Sequence, residues 1–135
     1  MGAQGQPDDA DVVWLSSIRP DGHPHLVAAW FIWDGDSIVV MSKPGAQKVR
    51  NVRHDPHVMV GIGRLGGRGD VELVEAVAEV EPSRDDTPTL PDGFVEKYAA
   101  MMARLEVTAE RFAWTYSQVI RIQPTRRLAW GAPGW

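Results

Sequence analysis

The chain has 135 residues, 18 Asp and Glu against 14 Lys and Arg, and no cysteine. That length suits one domain with a real core. The formal charge of -4 argues against a general nucleic-acid binder, whose cations would cover a whole face, and the missing thiols exclude disulfides, thiolate nucleophiles, iron-sulfur clusters and thiolate zinc sites.

No run of about 18 apolar residues offers a membrane span. The opening MGAQGQPDDAD is polar and acidic, unlike an export leader, so a cytoplasmic location is expected. Residues 1–11 read as a flexible N-terminal segment, 12–130 as the folded domain and 131–135 as a C-terminal tail. Val12 to Ile18 has the β-branched and aromatic content of a strand, and Arg19-Pro-Asp-Gly22 after it is turn chemistry: Pro presets φ and Gly accepts φ > 0. His25 to Trp33 reads as a second strand, Asp34-Gly35-Asp36 as a tight turn, and Ser37 to Ser42 as a third strand, which together make a meander. Pro44-Gly45 breaks that strand, and Ala46 to Arg53 has room for two helical turns with Val49 and Val52 on the inner side. Asp55-Pro56 ends them, because Pro disfavours helical geometry in the residue before it.

His57 to Ile62 and Val71 to Glu81 read as two further strands. In the latter, alternation puts Val71, Leu73, Glu75 and Val77 on one side and falters at Glu75, which weakens the specification of register. Phe94 to Leu105 is helical by the spacing of Phe94, Tyr98, Met101, Met102 and Leu105. Thr108 is placed to cap another helix, with Glu110 in its first turn. A last strand, Gln118 to Gln123, precedes Pro124-Thr125-Arg126-Arg127 and an apolar tail. Six strands without βαβ alternation predict a mainly β protein, a six-stranded antiparallel barrel with short helical insertions; an open six-stranded sheet with helices on one face is the alternative.

Two spellings mislead. Gly61-Ile-Gly-Arg-Leu-Gly66 fits a dinucleotide fingerprint, but that motif needs a helix opening at its third glycine, and here Gly67-Arg68-Gly69-Asp70 follows, which no helix tolerates. A glycine-rich hairpin loop is expected instead, and Arg68-Gly69-Asp70 is read as a turn. His23 and His25 point to one side of a strand, yet no carboxylate sits at ligand spacing beside them, so no metal is expected. His25 is placed to hydrogen-bond a ligand, and His23 reads as a turn residue. Ser16, Ser17 and Ser42 lack the G-x-S-x-G elbow, so no side-chain nucleophile is assigned.

The strongest chemical signal is KPGAQKVRNVR, four cations in the eleven residues from Lys43 to Arg53. Where a strand ends in Ser42 and a Gly-containing turn starts a helix, unpaired backbone N–H groups and the helix dipole favour a phosphate. Lys43 and Lys48 bracket that spot. On a helical wheel Lys48 lies beside Val52, whereas Gln47, Arg50 and Asn51 occupy another arc, so Lys48 with Lys43 or Arg50 is the expected anion set. A solvated basic helix is the competing reading. Six tryptophans suggest a ring-lined surface or cavity, although core packing explains most tryptophans.

From Val12 onward, VVWLSSIRPDGHPHLVAAWFIWDGDSIVVMSKPGAQKVRNVRHDPHVMV, then GGRGDVELVEAVAEV, EKYAAMM, FAWTYS and IRIQPTR, the chain resembles the FMN-binding split-barrel family of pyridoxamine 5'-phosphate oxidase-like proteins. Within it, the pattern is most similar to the branch of flavin/deazaflavin oxidoreductases that use coenzyme F-420. The pieces span nearly the whole chain in order.

The resemblance implies a homodimeric split barrel with two cofactor sites at the subunit interface. It places the ring against His25, Val27, Ala28, Ala29 and Met41, and the phosphate at Ser42, Lys48, Arg50 and Asn51. Related deazaflavin enzymes often carry a basic residue where this chain has Ala46, so Lys43 would have to take over. Most of the N-terminal helix usual in the family is missing. Arg53, Arg126 and Arg127 are candidates for the acidic tail of F-420, and Trp130 is expected at the dimer interface near the partner's pocket, with Pro133 to Trp135 less ordered. The implied activity is hydride transfer from reduced F-420 to a small unsaturated or conjugated molecule, the cofactor supplying the chemistry and the protein its orientation. An FMN-dependent enzyme, or a non-enzymatic flavin- or deazaflavin-binding protein, are the alternatives. Oxidation of pyridoxamine phosphate itself is not expected, since a phosphorylated substrate needs a second cation cluster.

Overall fold

The computed structural model describes residues 11–63, 71–82 and 88–129. The chain runs β1 (Val13–Ile18), β2 (Pro24–Ala29), β3 (Phe31–Asp34), β4 (Ser37–Ser42), α1 (Gln47–His54), β5 (His57–Gly63), β6 (Val71–Val80), α2 (Phe94–Arg104), α3 (Ala109–Thr115) and β7 (Gln118–Ala129). All neighbouring strands are antiparallel, in the order β2-β1-β5-β6-β7-β4-β3.

Among the described residues the sheet thus has seven strands, not the six expected. The extra one comes from His25–Trp33, which is two strands divided at Trp30. β2 pairs with β1 and β3 pairs with β4, at opposite edges of the sheet. Only Trp30 joins them, and two Cα steps of about 3.8 Å hold those edges close, so the sheet curls into a half-barrel. The unbroken apolar run AAWFIW hides this exchange of pairing partner.

Alternation explains the core. Val13 and Leu15 of β1, Ile38 and Val40 of β4, Val58, Val60 and Ile62 of β5, and Ile120 and Ile122 of β7 turn into the curl, which α1 closes with Val49 and Val52. A second core lies on the outer side, where Val39 and Met41 of β4 meet Phe94, Tyr98 and Met102 of α2 and Phe112 of α3. β4 is therefore buried on both faces, which is why SIVVM reads as continuous rather than alternating. Each fully buried Leu, Ile or Phe contributes about 1.5–3 kcal/mol, so these two clusters dominate the stability.

Leu73, Glu75 and Val77 lie on the same side of β6, as expected, but the core takes the other side, through Val74, Ala76 and Ala78. The faltering at Glu75 coincides with a β-bulge: Glu75 faces Arg126 while Ala76 faces Pro124, leaving Thr125 extra. Its hydroxyl donates to the Glu75 carbonyl at 3.0 Å. That bulge accommodates Pro124, which lacks a ladder donor, so β7 continues to Ala129 rather than stopping at Gln123.

Local signals decide the helix ends. Thr108 accepts a hydrogen bond from the Arg111 N–H at 3.0 Å at the start of α3. Gly93 opens α2 with φ +83°, a left-handed geometry that disfavours side chains.

Candidate functional site

β2 and β4, the Trp30 link, the start of α1 and the end of α3 converge on a pocket of about 210 Å³ lined by Ala28, Ala29, Trp30, Met41, Lys48, Phe112 and Tyr116. Four of these, Ala28, Ala29, Met41 and Lys48, are candidates already from the sequence. Trp30, Phe112 and Tyr116 are additions. The signal for Phe112 and Tyr116 is the i, i+4 spacing in FAWTY, which stacks the two rings at 4.5 Å between centroids.

The back wall is a continuous stack. Trp30 lies parallel to Tyr98 at 4.4 Å and nearly parallel to Phe112 at 5.0 Å. Tyr98 anchors it from behind: its hydroxyl accepts from the Phe31 N–H at 2.9 Å and has the Asp11 and Phe31 carbonyls at 2.8 and 3.1 Å. Burial pushes its pKa up to about 12, so the phenol stays neutral and serves the architecture. Lys43 stands at the other end of the stack, its ammonium 5.7 Å from the Tyr116 ring centroid.

Lys48 is the unusual group. Burial, with the nearby Lys43 charge adding to it, lowers its pKa. No carboxylate lies within ion-pair distance of it among the described residues. A partly buried cation with a second cation beside it and no acid is a site that an anion would relieve.

The other candidates are placed differently. Asn51 is fully buried, donating to Ser17 Oγ at 3.0 Å and accepting from Gln47 Nε2 at 2.7 Å, so it pins α1 to β1. Arg50 folds back on the helix start, reaching the Gly45 carbonyl at 2.6 Å and the Gln47 side chain. Ser42 is buried and donates to the Lys43 carbonyl at 2.9 Å. His25 and Val27 sit on the inward side of β2, opposite Ser17 and Leu15. The buried His25 Nδ1 has no hydrogen-bond partner among the described residues.

Arg53 is exposed on α1. Arg126 and Arg127 approach Glu75 and Glu72 at 3.7 and 3.5 Å, so both face carboxylates of β6. Trp130, Pro133 to Trp135, the segment 1–10 and most of the Gly61 to Asp70 stretch lie outside the described residues. Gly61 and Gly63 belong to β5 itself, so the first two glycines of the apparent fingerprint are strand residues. Among the described residues no group of three or more His, Cys, Asp or Glu gathers to hold a metal, and no helix is long and apolar enough to cross a membrane.

Comparison with known proteins adds three findings. A family model described as Pyridoxamine 5'-phosphate oxidase matches residues 4–131. No curated protein matches the chain. Among solved structures, an F-420 reductase is 25% identical, covering 95% of this chain and 97% of its own, with a TM-score of 0.65. A conserved hypothetical protein of Mycobacterium tuberculosis is 22% identical, covering 93% and 80%, with a TM-score of 0.70. HutZ, the heme storage protein of Vibrio cholerae, is 17% identical, covering 96% and 95%, with a TM-score of 0.64. The last two speak to the fold alone.

Proposed function

The chain belongs to the pyridoxamine 5'-phosphate oxidase family, and on that premise we propose an oxidoreductase that holds a phosphate-bearing deazaflavin, coenzyme F-420, at the Lys48 pocket. Its substrate is a small unsaturated or conjugated molecule that accepts hydride. The observation that carries this reading is Lys48 itself, a partly buried cation with no acid partner among the described residues, at the edge of a pocket walled by Trp30, Phe112 and Tyr116. The residues fit the group. Lys48 and Lys43 suit the phosphate, and Ala28 and Ala29 let a planar ring approach the backbone; His25, on the inward side of β2, is not among the described residues that line this pocket. When bound, the deazaflavin supplies the hydride chemistry; the chain supplies orientation, an apolar wall and the anion anchor.

The F-420 reductase at 25% identity favours the deazaflavin over FMN. FMN is the second reading, because both cofactors share the ring-ribityl-phosphate portion. A non-enzymatic binder is the third, motivated by Ala46 in place of a second cation beside the phosphate.

A homodimer is part of the same proposal. A pocket of about 210 Å³ is smaller than the roughly 300–1,000 Å³ of typical ligand clefts, so one chain supplies only part of a cleft. The outward face of β2, β1, β5 and β6 exposes Trp14 (49%), Ile18 (40%), Leu26 (62%), Met59 (39%) and Val77 (40%), an apolar surface that suits a second copy. Ala28 stands on that face opposite Trp14 and also lines the pocket.

The test is an absorbance titration of purified protein with F-420 and with FMN, followed by steady-state oxidation of reduced F-420 with conjugated acceptors. Tighter F-420 binding with turnover supports the proposal. Binding of neither cofactor sinks it, and binding without turnover of any acceptor leaves only the binding protein.

A further inference from the structure

The chain has three lysines, at 43, 48 and 97, and they stand in different surroundings. Lys97 is engaged: its ammonium donates to the Phe31 carbonyl at 3.0 Å and lies 3.4 Å from the Phe31 ring centroid. Lys43 is exposed, 5.7 Å from the Tyr116 ring centroid. Lys48 is the second residue of α1, whose first turn carries no acid, so the positive end of the helix dipole opposes its charge. It lines the pocket, partly buried, and burial and then the Lys43 charge lower its pKa. No carboxylate lies within ion-pair distance of it among the described residues. Position and charge both favour the free amine, which is the nucleophilic form of lysine.

The walls around that amine select its reaction partner. Trp30, Phe112 and Tyr116 present aromatic rings, and Ala28 and Ala29 leave space, around about 210 Å³. A cavity of roughly 150 Å³ accommodates benzene, so this pocket has room for one planar ring with a substituent. Lys43, beside the Tyr116 ring, favours a substituent with negative charge.

We propose that Lys48 Nζ, when no phosphate holds it, forms a reversible imine with a planar aromatic aldehyde that carries an anionic group. The Nζ lone pair attacks the carbonyl carbon, and the carbonyl oxygen leaves as water with the two amine hydrogens. Amine and aldehyde thus become imine and water, with no change of oxidation state. One Nζ cannot serve a phosphate and an imine together, so such aldehydes compete with the cofactor; this competition, unlike the imine itself, rests on the assignment of Lys48 to the phosphate.

The experiment treats the full chain with 4-formylbenzoate or with butanal, traps the imine with cyanoborohydride and maps the label over the three lysines by mass spectrometry, in native buffer and in urea. Most of the native label is expected on Lys48, more from 4-formylbenzoate than from butanal, and in urea the preference among lysines should disappear. Lys48→Met should lose that label, and Lys43→Met should take up less 4-formylbenzoate at Lys48, with melting temperatures recorded to show that both variants fold. The proposal is overturned if native labelling favours Lys48 no more than labelling in urea does, if butanal labels it as well as 4-formylbenzoate, or if Lys43→Met labels like the wild type. F-420 and FMN, added before the aldehyde, should protect Lys48. Label on Lys48 that neither cofactor reduces upholds the imine and refutes the phosphate assignment, so the two failures are told apart.

Discussion

Replacing Lys48 with methionine keeps the length of the side chain and removes its charge, and stability and affinity should then move in opposite directions. In the wild type, burial and then Lys43 hold the Lys48 pKa below its ordinary 10.5. A lysine lowered in the folded state weakens the fold, and that cost is fully present below the folded pKa. Between the folded pKa and 10.5 the unfolded chain binds more protons, so wild-type stability recovers as pH rises through this window. Lys48→Met lacks the cost. It should melt higher than the wild type at pH 7, and the gap should close as pH approaches 10.5. Ligand binding goes the other way. A charge-assisted hydrogen bond to phosphate contributes about 1.5–3 kcal/mol, which at about 1.4 kcal/mol per decade weakens Kd roughly 10- to 150-fold. Thermal melts at neutral and alkaline pH, with absorbance titrations of F-420 and FMN, measure both effects. A variant that melts lower than the wild type at pH 7, or that binds both cofactors unchanged, refutes the reasoning.

Tyr98→Phe strands the buried Phe31 N–H and should cost about 1–3 kcal/mol in urea unfolding; a loss well under 0.5 kcal/mol, on the order of an ordinary surface change, would contradict the anchoring role. Asn51→Ala unpins α1 from Ser17 and should cost a similar roughly 1–3 kcal/mol, so unfolding at wild-type denaturant concentration would show the pin to be idle. Gly93→Ala forces a side chain into φ +83° and brings its Cβ to 3.3 Å from Ile32 Cδ1, so a melting temperature equal to the wild type would disprove the strain. Trp14→Glu places a charge in the exposed apolar face and should yield monomers in sedimentation; an unchanged dimer moves the interface elsewhere.

Much of this protein is local. The turn at Gly22, the Ser37–Ser42 strand, the two helical turns around Val49 and Val52, and the Thr108 cap depend on residues within a few positions of one another, and each occurs where sequence spacing places it. Lys48 was legible for the same reason, as a cation at a strand-to-helix junction. Other features depend on partners far along the chain. The split of His25–Trp33 exists because β2 finds β1 while β3 finds β4, and an unbroken apolar stretch carries no mark of which neighbour each half will choose. Extension of β7 past Pro124 required the bulge opposite Glu75, about fifty residues away. The family resemblance sets Asn51 beside the phosphate, and nothing near it in the chain tells that its amide donates to Ser17, on a strand far upstream. Trp30 and Phe112 become one wall only when the curl brings the sheet's link against α3. Short-range geometry is written in adjacent residues, whereas pairing and burial are set by competition among all surfaces the chain can present, and that competition is resolved only when the whole core closes.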